Sequence, residues 1–258
     1  MARPIGGIEL VDPFGGRADL ESGAIRAVRE SVFEDDPLRL LRAVRFEHDI
    51  EDVRERRPEV FRVEPTTEAL IREHAPRVVE PAGERLLGEL LRLSEEGFRR
   101  LDDLGLLSPL GGSIDRYPEA SHLESPEYGL AVFFGENVER FPISNELKRF
   151  ARTLLSADRP ADDSPRAIHR FRRTTEPWAL EALAFLGARE LEGAVLEARA
   201  SEPKKPLVRG GELGIPPGPE VGRLLDEIAE ERAAGTITTK EEALEYARRN
   251  AGSLRGDG

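Results

Sequence analysis

Cysteine is absent from the 258 residues, which excludes a disulfide framework and any thiolate metal site and is compatible with a reducing compartment. Long apolar runs are missing too. None approaches the roughly 20 residues that a membrane-spanning helix needs. Met1-Ala2-Arg3-Pro4 opens no apolar segment of the kind a secretion signal requires. Together these absences predict a cytoplasmic chain with no membrane partner. Positive charge is also in deficit, with a net charge of −12. Proteins that grip phosphate backbones normally carry a basic footprint, so RNA binding here calls for a local basic patch or help from another part. Aromatics make up only 6% and charged residues 34%, the balance of a helical protein with a salt-bridged surface. The length is enough to bury a core without staples.

The fold class that follows is mainly α. A short β piece comes first: Ile8-Glu9-Leu10-Val11, a Pro-Phe-Gly-Gly turn and Ala24–Val28 read as a hairpin or a small strand pair at the edge of an incomplete sheet. From Pro37 the apolar spacing becomes helical. It predicts helices over Pro37–His48, Thr67–Arg77, Glu84–Glu95, Gly97–Leu104, Asn145–Leu155, Ser164–Arg173, Pro177–Leu196, Pro219–Ala234 and Thr239–Arg249. Asp36-Pro37 reads as an N-cap acceptor followed by proline at the first helical position. Thr239 with Glu242 forms a capping box. The stretches Gly111–Pro126 and Ser201–Pro219, rich in Gly, Pro and Ser, read as linkers or long loops. Four segments result: 1–33, 34–110, 111–200 and 201–258.

The run from Asp35 to Phe46, "DDPLRLLRAVRF", carries the functional argument. Arg39, Arg42 and Arg45 recur every three residues and form one stripe on a helix. Leu38, Leu41 and Val44 form the adjoining stripe, which packs. Arg39 falls in the first turn, where the positive end of the helix dipole disfavours a cation, so something must compensate. Two readings stand on the residues alone. In one, Asp36 is only a cap and the arginines are a solvated face. In the other, the pair reads a nucleobase edge. Cytosine and adenine both present an exocyclic amino donor beside an unprotonated ring nitrogen. A carboxylate accepting from the amino group, beside an arginine donating to the ring nitrogen, takes C and A and leaves groups unpaired against U and G. Each unpaired buried group costs roughly 1–3 kcal/mol, enough to set selectivity.

The same run resembles the nucleotide-selecting motif of the bacterial-type (class II) CCA-adding tRNA nucleotidyltransferases and poly(A) polymerases. The resemblance gives Asp36 and Arg39 the template role for incoming CTP or ATP, and Arg42 and Arg45 a supporting role toward nucleotide and triphosphate. The first acid, usually Glu in the family, is Asp35 here. "LVDPFGGRADL" (10–20) is similar to the family's head-to-neck segment, with Asp12, Gly15, Gly16 and Asp19 as fixed points. "GERLLGELLRL" (83–93) is similar to the neck helix in which Arg85 and Glu89 brace the selecting helix. "PLVRGGELGIPPGPEVGRLLDEIAEERAAGTITTKEEALEYA" (206–247) resembles the tail, with Gly210, Leu213, Gly218, Pro219 and Gly222 in place. "RFPISNELKRFARTLL" (140–155) is a fainter match.

What the resemblance implies is a head remnant (1–33), a neck that selects nucleotide (34–110), a helical body (111–200) and a helical tail (201–258). It implies part of an enzyme that adds CMP and AMP to the 3′ end of tRNA and holds the acceptor arm. The alternatives are a poly(A) polymerase fragment and a non-catalytic RNA-binding subunit. The family's metal-holding motifs, a Gly-Gly-x-x-Arg-Asp loop and an Asp-x-Asp pair, have no counterpart in the chain, so no catalytic residue is assigned. Mg2+ is expected for the family with its ligands absent here. An upstream catalytic head, separately encoded or continuous with Met1-Ala2, is the partner this implies, and the chain alone is expected to be inactive.

The segment "EHDIEDVRERRPEV" (47–60) replaces an apolar continuation in the family and has no assigned role. His48-Asp49 suggests a metal-binding dipeptide, but the four histidines are widely separated and no metal site is assigned. Arg166, Arg170, Arg172 and Arg173, with His169 and around Phe171, are the candidate RNA-backbone patch outside the neck. There arginine would hold phosphate and phenylalanine would stack a base; the other reading is a solvated helix end. Trp178 and Phe185 read as core.

Overall fold

The computed structural model describes residues 11–48, 61–116, 126–203 and 205–251. Contacts gather the chain into two units, Met1–Leu155 and Ser156–Gly258.

In the first unit, α1 (Gly16–Ser22) is nucleated by Asp12. Its Oδ1 and Oδ2 each accept a backbone N–H, from Gly16 and Arg17, at 2.8 Å. Gly15 sits at φ 71°, a left-handed position that glycine adopts without strain. Asp19 in turn receives Arg26 through Nε and Nη2, both at 3.1 Å. The four fixed points of this segment therefore build a helix where the sequence reading placed a turn. Strand β1 (Ala24–Ile25) pairs in parallel with β2 (Arg62–Val63), with Ala24 opposite Arg62 and Ile25 opposite Val63. The second arm of the expected hairpin or strand pair thus takes β2 as a partner. A parallel pair needs a long crossover, and here the chain between the two strands holds the helices 32–35 and 39–48. Residues 8–10 of that hairpin lie outside the described residues.

Helix α2 (Val32–Asp35) leads through Asp36-Pro37 into α3 (Arg39–His48). The predicted apolar stripe packs: Leu38, Leu41 and Val44 are buried, joined by Leu40. α3 lies against α5 (Gly83–Leu90) and α6 (Glu95–Asp103), while α4 (Pro65–His74) contacts α2. Asp49 and the rest of 49–60 lie outside the described residues. The core continues into α7 (Pro126–Phe134), where every residue from Tyr128 to Phe134 is buried. Phe98 stacks on Phe133 at 4.5 Å between ring centroids, and Phe134 meets Phe141 edge-on at 5.0 Å. α7 had no counterpart among the expected helices, since a segment apolar on all sides has no helical period to read. Helix α8 (Asn145–Ser156) ends this unit as expected.

The second unit packs α9 (Pro165–Thr175) against both α11 (Glu192–Ser201) and α12 (Pro219–Ala233). The single helix expected over 177–196 is two: α10 (Ala179–Phe185) stops at Gly187, φ 62°, and the chain restarts in α11. Trp178 and Phe185 are only half-buried. α13 (Lys240–Asn250) begins at the predicted capping box, with Thr239 accepting from the Glu242 N–H and Glu242 accepting from the Thr239 N–H. Leu224, Ile228, Ile237, Ala243 and Ala247 form a core with Val208 and Leu213. Among the described residues no helix is long and apolar enough to cross a membrane.

Candidate nucleotide-selecting site

α3 starts at Arg39, whose N–H bonds the Asp36 carbonyl at 3.0 Å. The expected side-chain cap is only a long one, from the Leu38 N–H to Asp36 Oδ1 at 3.3 Å. The Asp36 carboxylate turns instead to α5. Arg85 Nη2 donates to both its oxygens, at 3.2 and 3.0 Å. Partial burial works to raise the Asp36 pKa. The Arg85 hydrogen bond, the Leu38 N–H and the charges of Arg85 and Arg39 outweigh it, and the carboxyl is held below its ordinary range. Asp36 is thereby kept ionised and acceptor-only.

The cation in the first turn finds its compensation in a carbonyl: Arg39 Nη1 donates to Val32 O at 3.1 Å, at the start of α2. Among the described residues this is its hydrogen-bond partner. Asp35, the first acid, is paired with Arg29, while Asp36 is paired with Arg85. Neither Val32 nor Arg29 was foreseen. A carbonyl acceptor leaves no mark in side-chain chemistry, and Arg29 carries no motif.

The other two arginines of the stripe share one carboxylate. Glu89, buried on α5, receives Arg42 Nε on Oε1 at 2.9 Å and faces Arg45 Nε from Oε2 at 3.0 Å. The second contact is an ion pair whose atoms are not aligned as a hydrogen bond. The Glu89 hydrogen bond raises the Arg42 pKa further, which has no consequence near neutrality. Arg42 remains 41% exposed while Arg45 is only 14% exposed, so the two cannot serve a ligand equally. A second brace holds the far end of the helix, where Glu47 accepts from Arg100 Nε at 2.7 Å and from the Val63 N–H at 3.1 Å. The structure thus brings together Asp36, just ahead of α3, with Arg39, Arg42 and Arg45 of α3 and Arg85 and Glu89 of α5, while Asp35 ends α2.

The candidate backbone patch has a different setting. Arg166 pairs with Glu231 at 2.6 Å, Arg170 with Glu230 at 2.6 Å, and Arg173 with Asp226. Arg172 pairs with Glu176 and Glu202. Phe171 is buried in the unit's core, which corrects the expectation that it could stack a base. His169 is half-buried; burial and the nearby arginines lower its pKa, so it is neutral at pH 7. Among the described residues no three His, Asp or Glu side chains converge to hold a metal ion. The donor set among the described residues does not fit Mg2+.

Residues 60–115 match a family described as "Probable RNA and SrmB- binding site of polymerase A". The chain is 28% identical to an A-adding tRNA nucleotidyltransferase of Deinococcus radiodurans, over 97% of this chain and 76% of that protein. A CC-adding tRNA nucleotidyltransferase of Geobacter sulfurreducens is 40% identical over 36% of this chain and 20% of its own length. Among solved structures, the Thermotoga maritima CCA-adding enzyme complexed with tRNA has a TM-score of 0.61 at 23% identity, over 93% of this chain and 67% of that one. The two longer matches leave a quarter to a third of those proteins outside the aligned part. With its motifs in order, the chain is similar over most of its length to CCA-adding and A-adding tRNA nucleotidyltransferases, and it shares their fold.

Proposed function

We propose that this chain supplies nucleobase selection and tRNA binding in the addition of CMP and AMP to the 3′ end of tRNA. The observation that carries the reading is the Arg85–Asp36 contact, which fixes an ionised carboxylate next to the first arginine of the stripe. Asp36 accepts from the exocyclic amino group of cytosine or adenine, and Arg39 donates to the neighbouring ring nitrogen. Arg42, the more exposed of the two arginines tied to Glu89, turns toward the triphosphate. Arg45 acts through Glu89 and holds the helix. The carboxylates that hold metal in the transfer step come from outside the described residues. Phosphate contact at Arg166 and Arg170 requires exchange of Glu231 and Glu230 for RNA oxygens, and Arg170, 70% exposed, is the better placed.

The test is equilibrium binding of CTP, ATP, UTP and GTP to the chain. CTP and ATP are expected to bind about tenfold or more tightly than UTP and GTP, the size of one unpaired buried polar group. Arg39→Ala is expected to remove the preference. Equal binding of all four by the parent chain refutes the reading. Binding of ATP alone favours a poly(A) polymerase, the activity named in the family description that residues 60–115 match.

A further inference from the structure

The second unit contains a cavity of about 360 Å3 between the segment 206–210 and one face of α12. Its floor is aliphatic, built from Leu207, Val208, Leu225, Ile228 and Ala229. On α12 the lining residues Leu225, Ile228, Ala229 and Arg232 fall at i, i+3, i+4 and i+7, a single helical face. The carboxylates of the same helix are committed elsewhere: Asp226, Glu230 and Glu231 pair with Arg173, Arg170 and Arg166 of α9. The cavity is bordered instead by cations. Arg209 and Arg232 line it, and Lys205 stands at its edge, its carbonyl accepting from Arg232 Nη1 at 2.7 Å. Among the described residues none of the three is in an ion pair, in a unit where most arginines are. Glu212, which accepts the Arg209 N–H and pairs with Lys240, is the acid whose charge reaches Arg209. An apolar floor under a rim of three cations without ion pairs, on a chain of net charge −12, is a local inversion of the molecule's charge.

We infer that this cavity docks an acidic segment of a partner protein, which seats a large apolar side chain on the floor and sets carboxylates against Lys205, Arg209 and Arg232. Buried apolar anchors ringed by complementary charge are how short segments gain affinity and register. The floor favours peptide over RNA. It offers no aromatic face on which a base could stack, and stacking is the usual source of single-strand affinity.

The experiment is fluorescence anisotropy on the full chain with three labelled probes. One is an acidic dodecapeptide carrying Leu and Phe one helical turn apart; the second has both replaced by Ser; the third is a twelve-nucleotide oligo(U). The first peptide is expected to bind about tenfold or more tightly than the Ser peptide. Lys205→Glu with Arg209→Glu, both at exposed positions, is expected to weaken it by about tenfold. Ala229→Trp, which fills the cavity, is expected to abolish binding, with thermal melts confirming that each variant folds. Three results overturn the inference: the first peptide binds no better than the Ser control, its binding is unchanged in the Lys205/Arg209 variant, or oligo(U) is the probe whose binding these variants remove.

Discussion

Glu89 ties two arginines of α3 to α5, and Glu89→Gln tests that tie with little change of shape. The substitution leaves Arg45, 14% exposed, facing a neutral amide instead of its counter-charge. Breaking one side of a fully buried pair costs about 3–5 kcal/mol. The misaligned Arg45 contact belongs at the bottom of that range. Arg42 is 41% exposed, and its share lies in the range of surface pairs, about 0–1 kcal/mol. The sum is about 3 kcal/mol. For a unit of this size each kcal/mol lowers the melting temperature by roughly 2–4 °C, so a fall of about 6–12 °C is expected. The assay is thermal unfolding followed by circular dichroism at neutral pH. Replacing Arg45 by Met and Glu89 by Leu together removes both buried charges and is expected to restore much of the loss. A Glu89→Gln protein melting within about 2 °C of the parent refutes the claim that this carboxylate holds a buried cation in place.

Arg85→Ala removes the largest influence lowering the Asp36 pKa, so the carboxyl is expected to titrate at higher pH than in the parent, read from carboxyl carbon shifts by NMR. The sign follows from linkage. Asp36 contributes stability above its unfolded pKa of about 4, and that contribution is lost as pH falls through the lower folded value. The parent is therefore expected to lose stability below about pH 4 more steeply than Arg85→Ala. Gly112→Ala places a Cβ 2.5 Å from Leu107 Cδ1 and 3.1 Å from Phe134 Cε1, both on fully buried side chains. Overpacking of this kind costs about 1–3 kcal/mol and is expected as a lower midpoint in urea unfolding.

Much of the site is legible in the sequence because it is local. The stripe Leu38, Leu41, Val44 and its arginine neighbour follow from helical period alone, and Thr239 with Glu242 announces α13. Arg85 and Glu89 lie 49 and 47 residues from their partners, and only the resemblance to a known family singled them out. What stayed hidden has physical reasons. A two-residue parallel pairing leaves no alternation to read, so Ala24–Ile25 looked like half of a hairpin. α7 is buried all round and shows no amphipathic period. The basic run 166–173 reads as a phosphate patch until the acids of α12, some sixty residues away, are seen to neutralise it.

The short parallel bridge between Ala24–Ile25 and Arg62–Val63 works as a clasp. It closes the stretch 26–61, which holds α2, α3 and the charged segment 47–60. The entropy of closing such a loop grows only with the logarithm of its length, about 0.6 kcal/mol for each doubling. Residues can therefore be gained or lost behind the helix at small thermodynamic cost, while the clasp, with Glu47 tied to β2, keeps the helix in register with its neighbours. A change of length in 47–60 is therefore expected to leave the contacts of Asp36 and Arg39 undisturbed.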